Sequence, residues 1–557
     1  MQHRSVLTAR SLRASAAVAA SVALVAGVGS TTASAASPSK AASNTTIDIE
    51  ANTLSGPITG GFNPFLGSTE DAWTLGATDM IYEPLLQFNI LKPGVTHPWL
   101  ASKYAWSDGG KTLTFTLHPG VKWSNGKPFT SADVVYTLEA TKANPALNIN
   151  GISFTSVTAP SANKVVMKFS APAYAQFYAI AGQTLIVNKA KYSAAGKLST
   201  FTDPNPVGTG PYVLKSMNSQ DITLTANPNY WQPGKPTIGT LVFPDYESNT
   251  SAAAALQSGQ LTWGGNFISH IQQIFANTPQ HVFFSPPNNT VALWPNLKSS
   301  PTSSLAVRQA ISLAVNRKQV ALDGEEGDEA PATSATGLIL PNDKQYLADT
   351  GNTLPYNPTK AASILRKAGY SLKDGVWTSK SGQQLKLSLE DPASYSDYMA
   401  SDQSIAQQLT KFGIQTSTNG VSVNTWNADL ASGHFNLTLH WGQTAATPYG
   451  QYENWLDPNL IGGSVGNFER FNMPAATAAL HSYASSGSNK AQAAAIKTLG
   501  NIMATNLPVI PIMYGAAWGE YNSEKVTGFP SASNPYDPAQ PSVPMNEYVV
   551  LQLKPKA

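Results

Sequence analysis

A mixed α/β fold built in at least two lobes is what this sequence predicts, on three observations. The chain has 557 residues, whereas a single hydrophobic core stops growing near roughly 250–300 residues. Runs with period-two alternation lie between segments with helical spacing and explicit caps, so strands and helices interleave along the chain. A hydrophobic content of 42%, with 12 Trp, 21 Tyr and 19 Phe, supplies the apolar surface that folded cores need and that disordered chains lack.

The elements follow in order. Residues 36–46, rich in Ser, Ala and Thr, read as a flexible leader, and folded pattern starts near Ile47. Thr112–Leu117 alternates threonines with Leu113, Phe115 and Leu117, which is the pattern of a half-buried strand. Asp108-Gly109-Gly110 before it and Asn125-Gly126 after it are turn signals. Thr130, with Asp133 three residues on, caps a helix whose apolar side carries Val134, Val135 and Leu138. Ser303 or Ser304 opens another, with Val307, Ile311, Ala314 and Val315 at helical spacing. Asn357-Pro358 opens a third, closed by Gly369; a fourth carries Ile405, Leu409 and Phe412 and stops at Gly413. Residues 435–439 and 509–513 are strand-like runs between helices.

Composition narrows the class. Charged residues make up 12%, about half the usual ~25%, so the surface is largely neutral and polar. Arg4, Arg10 and Arg13 precede an apolar run at 14–28, and Ala33-Ser34-Ala35 has the small residues of a cleavage site. The run is shorter than the ~20 residues that span a bilayer, so residues 1–35 are expected to be an export signal. Setting those three arginines aside takes the net charge from +2 to −1, which gives no electrostatic footprint for nucleic acid or an anionic membrane. With no cysteine anywhere, disulfides, thiolate metal sites, cysteine nucleophiles and a cysteine-linked lipid anchor are excluded. The 33 acids in 557 residues leave little carboxylate to neutralise at low pH, and this predicts tolerance of acid.

Motifs for chemistry are few. Gly462-Gly463-Ser464-Val465-Gly466 fits a nucleophile elbow, but no helix follows directly and the last histidine, His481, precedes Asp537; it is a glycine-rich loop. Asp323, Glu325, Glu326, Asp328 and Glu329 lack the spacing of a calcium loop and read as an exposed acidic segment. His434 and His440 share a face of one strand and have no third ligand. Gly208-Thr209-Gly210 is a turn. Arg308 suits a structural ion pair or a ligand carboxylate. No catalytic residue, cofactor or metal site is expected.

Several stretches, in one order, are similar to those of the family 5 extracytoplasmic solute-binding proteins of ABC importers, the dipeptide/oligopeptide type. They are Tyr82-Glu83-Pro84-Leu85-Leu86, Gly120-Val121-Lys122-Trp123-Ser124-Asn125-Gly126 through Val135, and Pro206-Val207-Gly208-Thr209-Gly210-Pro211-Tyr212. Asn227-Pro228-Asn229-Tyr230-Trp231 and Val307-Arg308-Gln309-Ala310-Ile311 follow. The resemblance implies a periplasmic-binding-protein-like fold of the large type II form. Lobe I would take residues 45–290 and 505–557, with an extra subdomain near 76–180, and lobe II residues 291–504. It also implies a monomer that traps a small molecule between its lobes and passes it to an ABC permease.

Trp263, Trp294 and Trp441 stand at strand ends or near the lobe boundary, beside Asn266 and Gln443, and are the cleft candidates. Peptide-binding members resemble one another at a Trp, two small residues, then an aspartate that pairs with the peptide ammonium. Here the stretch reads Trp441-Gly442-Gln443-Thr444, with Thr444 where that carboxylate is expected. Glu453 or Asp457 could substitute. Thr447-Pro448-Tyr449 and the tail from Trp518 to Tyr536 look more like the oligosaccharide-binding members. The expected ligand is a short peptide or oligosaccharide, with the balance toward an uncharged one. A secreted hydrolase, or an adhesion or chaperone-like protein using the same cleft, is the alternative.

Overall fold

The computed structural model describes residues 42–556, apart from 55, 247, 341, 348–352 and 464. The expected export signal, most of the leader, and Ser464 lie outside the described residues. Two large sheets organise the rest. In the first, the order is His281–Phe283, Glu520–Asn522, Trp263–Gly264, Thr46–Glu50, Thr240–Pro244, Asp221–Ala226 and Tyr212–Met217. Thr46–Glu50 runs parallel to both its neighbours, and Ile47 and Ile49 are fully buried on the face that its alternation predicts.

In the second sheet the order is Ala330–Pro331, Ile510–Ala516, Pro287–Pro295, Leu437–His440, Lys386–Pro392 and Gln415–Val421. The last three are parallel to one another. Apolar cores cover both its faces. Helices Leu305–Ala314 and Ser396–Phe412 pack on one side, and Pro448–Leu456, Pro474–Ala484 and Asn489–Asn506 on the other. The chain passes from the first sheet to the second at 284–286 and returns at 517–519. Ile510–Ala516 pairs with Pro287–Pro295 deep in the second sheet. The return therefore falls later than the expected 505.

A smaller antiparallel sheet, Ala101–Ser107, Thr112–Leu117, Lys164–Lys168 and Ser156–Ser161 in spatial order, has its own core with helix Ser131–Ala143. The period-two reading gives the bounds of its second strand, and Thr130 with Asp133 forms a reciprocal capping box. Helix Pro358–Lys367 is capped by Asn357, and Ser396–Phe412 stops at Gly413, whose φ of 100° suits glycine.

The lobes touch. Ala446 of the second lobe packs into the core of the small sheet, and Ala175 packs on the second lobe's aromatic core. Ser269 and His270 bond to Glu326, and Gln272 to Asp328, along the same seam.

Candidate functional site

The backbone of Gly442 bonds to Thr290, so the strand Leu437–His440 ends beside the strand by which the chain enters the second lobe. The parallel strands of the second sheet therefore point their C-terminal ends at the interlobe seam, where open α/β sheets bind ligands. Gly442 is required there: a Cβ would lie 2.7 Å from Gln451 Oε1 and 3.0 Å from Trp455.

A pocket open to solvent lies beside this loop. Ile90, Leu91 and Pro93 come from the first lobe, Pro287 and Asn288 from the start of strand Pro287–Pro295 just past the crossing, and Ile339, Asn342 and Asp343 from the second lobe. Gln443, Ala445, Thr447, Pro448 and Gln451 complete it. Its polar groups are chiefly neutral amides, and no lysine or arginine lines it. Asp343 is pushed up to about 6 by burial and accepts from the Ile339 N–H at 3.1 Å. Gln451 is held rigidly, accepting from Thr290 N at 3.0 Å and donating to Gly337 O at 2.6 Å. Such a wall offers donors, acceptors and apolar contact, with Asp343 as its one carboxyl.

The seven sequence-predicted residues divide. Gln443 lines the pocket; Trp441 and Thr444 flank it on the same loop. Trp441 is 40% exposed, the only exposed tryptophan of the described residues, and its ring lies 4.3 Å from His440 and 5.8 Å from Trp426. Tyr395 and Tyr398 support the same ring. Trp441 is thus part of an aromatic cluster and partly open to solvent.

Trp263, Trp294, Asn266 and Tyr449 need correction. Trp263 is fully buried against Phe529 and donates to the Ala539 carbonyl, and Trp294, equally buried, donates to the His440 carbonyl at 3.2 Å. Both indoles found partners inside the lobes, as buried tryptophans require. The Asn266 amide is committed to Glu50 at 2.5 Å. Tyr449 is buried, stacked on Tyr483 at 4.3 Å and bonded to Glu453 at 2.8 Å. That bond occupies Glu453, one of the two carboxylates that could have replaced the expected aspartate.

Other motifs resolve as structure. Among the described residues Arg308 makes no ion pair: its guanidinium donates to the carbonyls of Thr302, Ser303, Asn506 and Leu507 at 2.8–2.9 Å, capping the end of helix Asn489–Asn506. Glu325 and Glu329 are buried, not exposed, because helix Arg317–Glu325 packs on Ser396–Phe412. His434 is exposed beside Asp429 ahead of the strand, while His440 is enclosed by Trp294, Trp426 and Trp441, and burial lowers it to about 4.

Asn288, Asn342 and Gln451 escaped sequence reading, since lone amides carry no motif. The signal for Gln451 was Pro448 opening a helix, which sets it in the first turn facing the strand ends.

The family described as bacterial extracellular solute-binding proteins, family 5 Middle, matches residues 95–462. The nickel-binding periplasmic protein of Escherichia coli (strain K12) is 27% identical over 408 residues, covering 69% of this chain and 74% of that protein. The glutathione-binding protein of Salmonella typhi is 30% identical over 292 residues, half of this chain and 55% of the relative. Among solved structures, the mannohexaose-bound periplasmic oligopeptide-binding protein of Thermotoga maritima superposes with a TM-score of 0.81 at 25% identity, over 92% of this chain and 99% of its own. The oligopeptide-binding protein of Bacillus subtilis holding a nonapeptide shares the fold, with a TM-score of 0.74 at 19% identity over 92% and 100% of the two chains.

Proposed function

Since the chain belongs to the bacterial extracellular solute-binding proteins of family 5, we propose that its interlobe cleft captures an uncharged solute, a short oligosaccharide before a peptide, and delivers it to an ABC permease. The observation that carries this reading is the pocket's chemistry. Asn288, Asn342, Gln443, Gln451 and Thr447 offer neutral polar groups, with Ile90, Leu91 and Ile339 between them. Sugar rings present hydroxyls and apolar C–H faces, which match such a wall. A peptide's ammonium would need an anion, and the loop carries Thr444 where a carboxylate is expected. The pocket's one carboxyl, Asp343, is already engaged by the Ile339 N–H and raised to about 6 by burial, so it holds an ammonium less well than a free carboxylate at the Thr444 position would. The exposed part of Trp441, beside the pocket, suits stacking on a pyranose ring. The mannohexaose bound by the Thermotoga maritima relative supports a sugar ligand.

Domain closure supplies the capture step. Ligand contacts made by both lobes favour the closed arrangement, and the permease then receives the loaded form. No nucleophile–base pair lines the pocket, which argues for binding rather than hydrolysis. Mass spectrometry of the solute released from purified protein tests the proposal. A neutral sugar recovered intact supports it; a peptide with a free amino terminus overturns the uncharged-solute reading, and a cleaved product overturns binding without turnover.

A further inference from the structure

Eight carboxyls stand in four pairs in the interior, and none has a lysine or arginine ion-pair partner among the described residues. Glu83 and Glu547, both fully buried, hydrogen-bond one another. The Tyr230 hydroxyl lies 3.1 Å from one and 3.5 Å from the other. Gln87 donates to Glu547, and the Trp231 indole to Glu83. Asp391 and Asp402 are likewise buried and within hydrogen-bond reach, and neither Asp402 oxygen meets a donor.

Glu50 and Glu520 flank Gly264 in one cross-strand row. A Cβ on that glycine would lie 3.5 Å from Glu520 and 3.8 Å from Glu50, so both carboxyls crowd the space above it. Glu325 and Glu329 form the fourth pair, against helix Ser396–Phe412: both are buried, and neither Glu325 oxygen nor Glu329 Oε2 meets a donor.

The titratable groups facing these pairs are acids or tyrosines. Asp79 and Tyr230 face the first; Tyr395 and Tyr398 the second; Asp328 and Tyr246 the third; Glu326, Asp328, Asp397 and Tyr398 the fourth. Two ionised carboxylates facing each other in the interior repel and lack solvent. One proton between them turns two acceptors into an O–H···O bond.

We infer that the native fold keeps these as proton-sharing carboxyl pairs, so that the protein is built for an acidic exterior and loosens as its surroundings turn neutral to alkaline. This mechanism is separate from the scarcity of carboxylates in the composition. It depends on acids that fold into the core already protonated.

Burial pushes Glu50, Glu83 and Asp402 up to about 7 and Glu329 to about 8, with Glu325, Glu520, Glu547 and Asp391 also raised. In the unfolded chain such groups titrate near roughly 4. The native state therefore binds more protons, and the stability they contribute is present in acid and lost as pH rises through their native values. His97, His281 and His440 act oppositely, since burial lowers each, but their effect is confined to pH below about 6.5. Between about 6.5 and 8 the histidines drop out, and the carboxyl pairs act together with the lone buried acids Asp79 and Asp537, each pushed up to about 8, and Glu469, also raised.

Denaturant unfolding of the purified protein across that window is the test, with potentiometric counting of protons taken up on refolding. Stability is expected to fall steadily from pH 6.5 to 8, with uptake at pH 6.5 of roughly one proton per pair beyond those taken up by Asp79, Asp537 and Glu469. Asp402→Asn supplies its own donor to Asp391, so it should keep the acid stability and flatten part of the slope. A flat or rising profile with no proton uptake overturns the inference, as does equal destabilisation by Asp402→Asn at pH 5 and pH 8.

Discussion

His270 and Glu326 meet across the seam between the lobes: one carboxylate oxygen of Glu326 lies 2.6 Å from the His270 backbone nitrogen and 2.9 Å from its Nδ1. Both residues hold left-handed backbone, with φ of 58° and 52°, so the chain spends conformational energy to aim this contact. Ser269 adds its hydroxyl to the same carboxylate, and Gln272 reaches Asp328 at 3.2 Å. The contact joins the two lobes and involves no pocket residue, so any arrangement that parts the lobes along this seam loses it.

Glu326→Ala should therefore weaken ligand binding without touching the pocket. The pair is largely exposed, with relative side-chain areas of 65% and 28%, so the expected loss is modest, about 0–1 kcal/mol. Binding kinetics should show it as faster dissociation with nearly unchanged association.

The tryptophans separate cleft from core. Trp441→Ala should cost about 1–3 kcal/mol of ligand affinity, while thermal stability changes little, since the ring is partly open to solvent. Trp294→Ala, fully buried among Trp455, Phe468 and His440, should cost about 3–5 kcal/mol of stability. Calorimetry and denaturant unfolding on both variants check the contrast.

Arg308→Ala leaves the carbonyls of Thr302, Ser303, Asn506 and Leu507 without their shared donor. Unfolding should become easier by about 2–4 kcal/mol, with affinity for the ligand unchanged, because Arg308 is absent from the pocket wall.

Much of the scaffold was legible because its signals are local. The alternation over Thr112–Leu117, the Thr130 capping box and Asn357 before Pro358 each need only a few adjacent residues, and each formed. The site was legible only where the loop 441–447 itself carries it. Whether Trp263 faced the cleft or the core depended on the Ala539 carbonyl, 276 residues away. The acidic segment read as exposed because five acids in seven residues look solvated. Its Glu329 is instead drawn inward to bond the Ala516 N–H at 2.7 Å, a partner that only the second sheet brings near.

Titration calorimetry of the purified protein with cello-oligosaccharides and with di- to pentapeptides addresses capture of an uncharged solute most directly. The account predicts saturable one-site heats with a neutral sugar, diminished in Trp441→Ala, and none with peptides. Tight peptide binding that requires the free amino terminus, with no heat from any sugar, would contradict it.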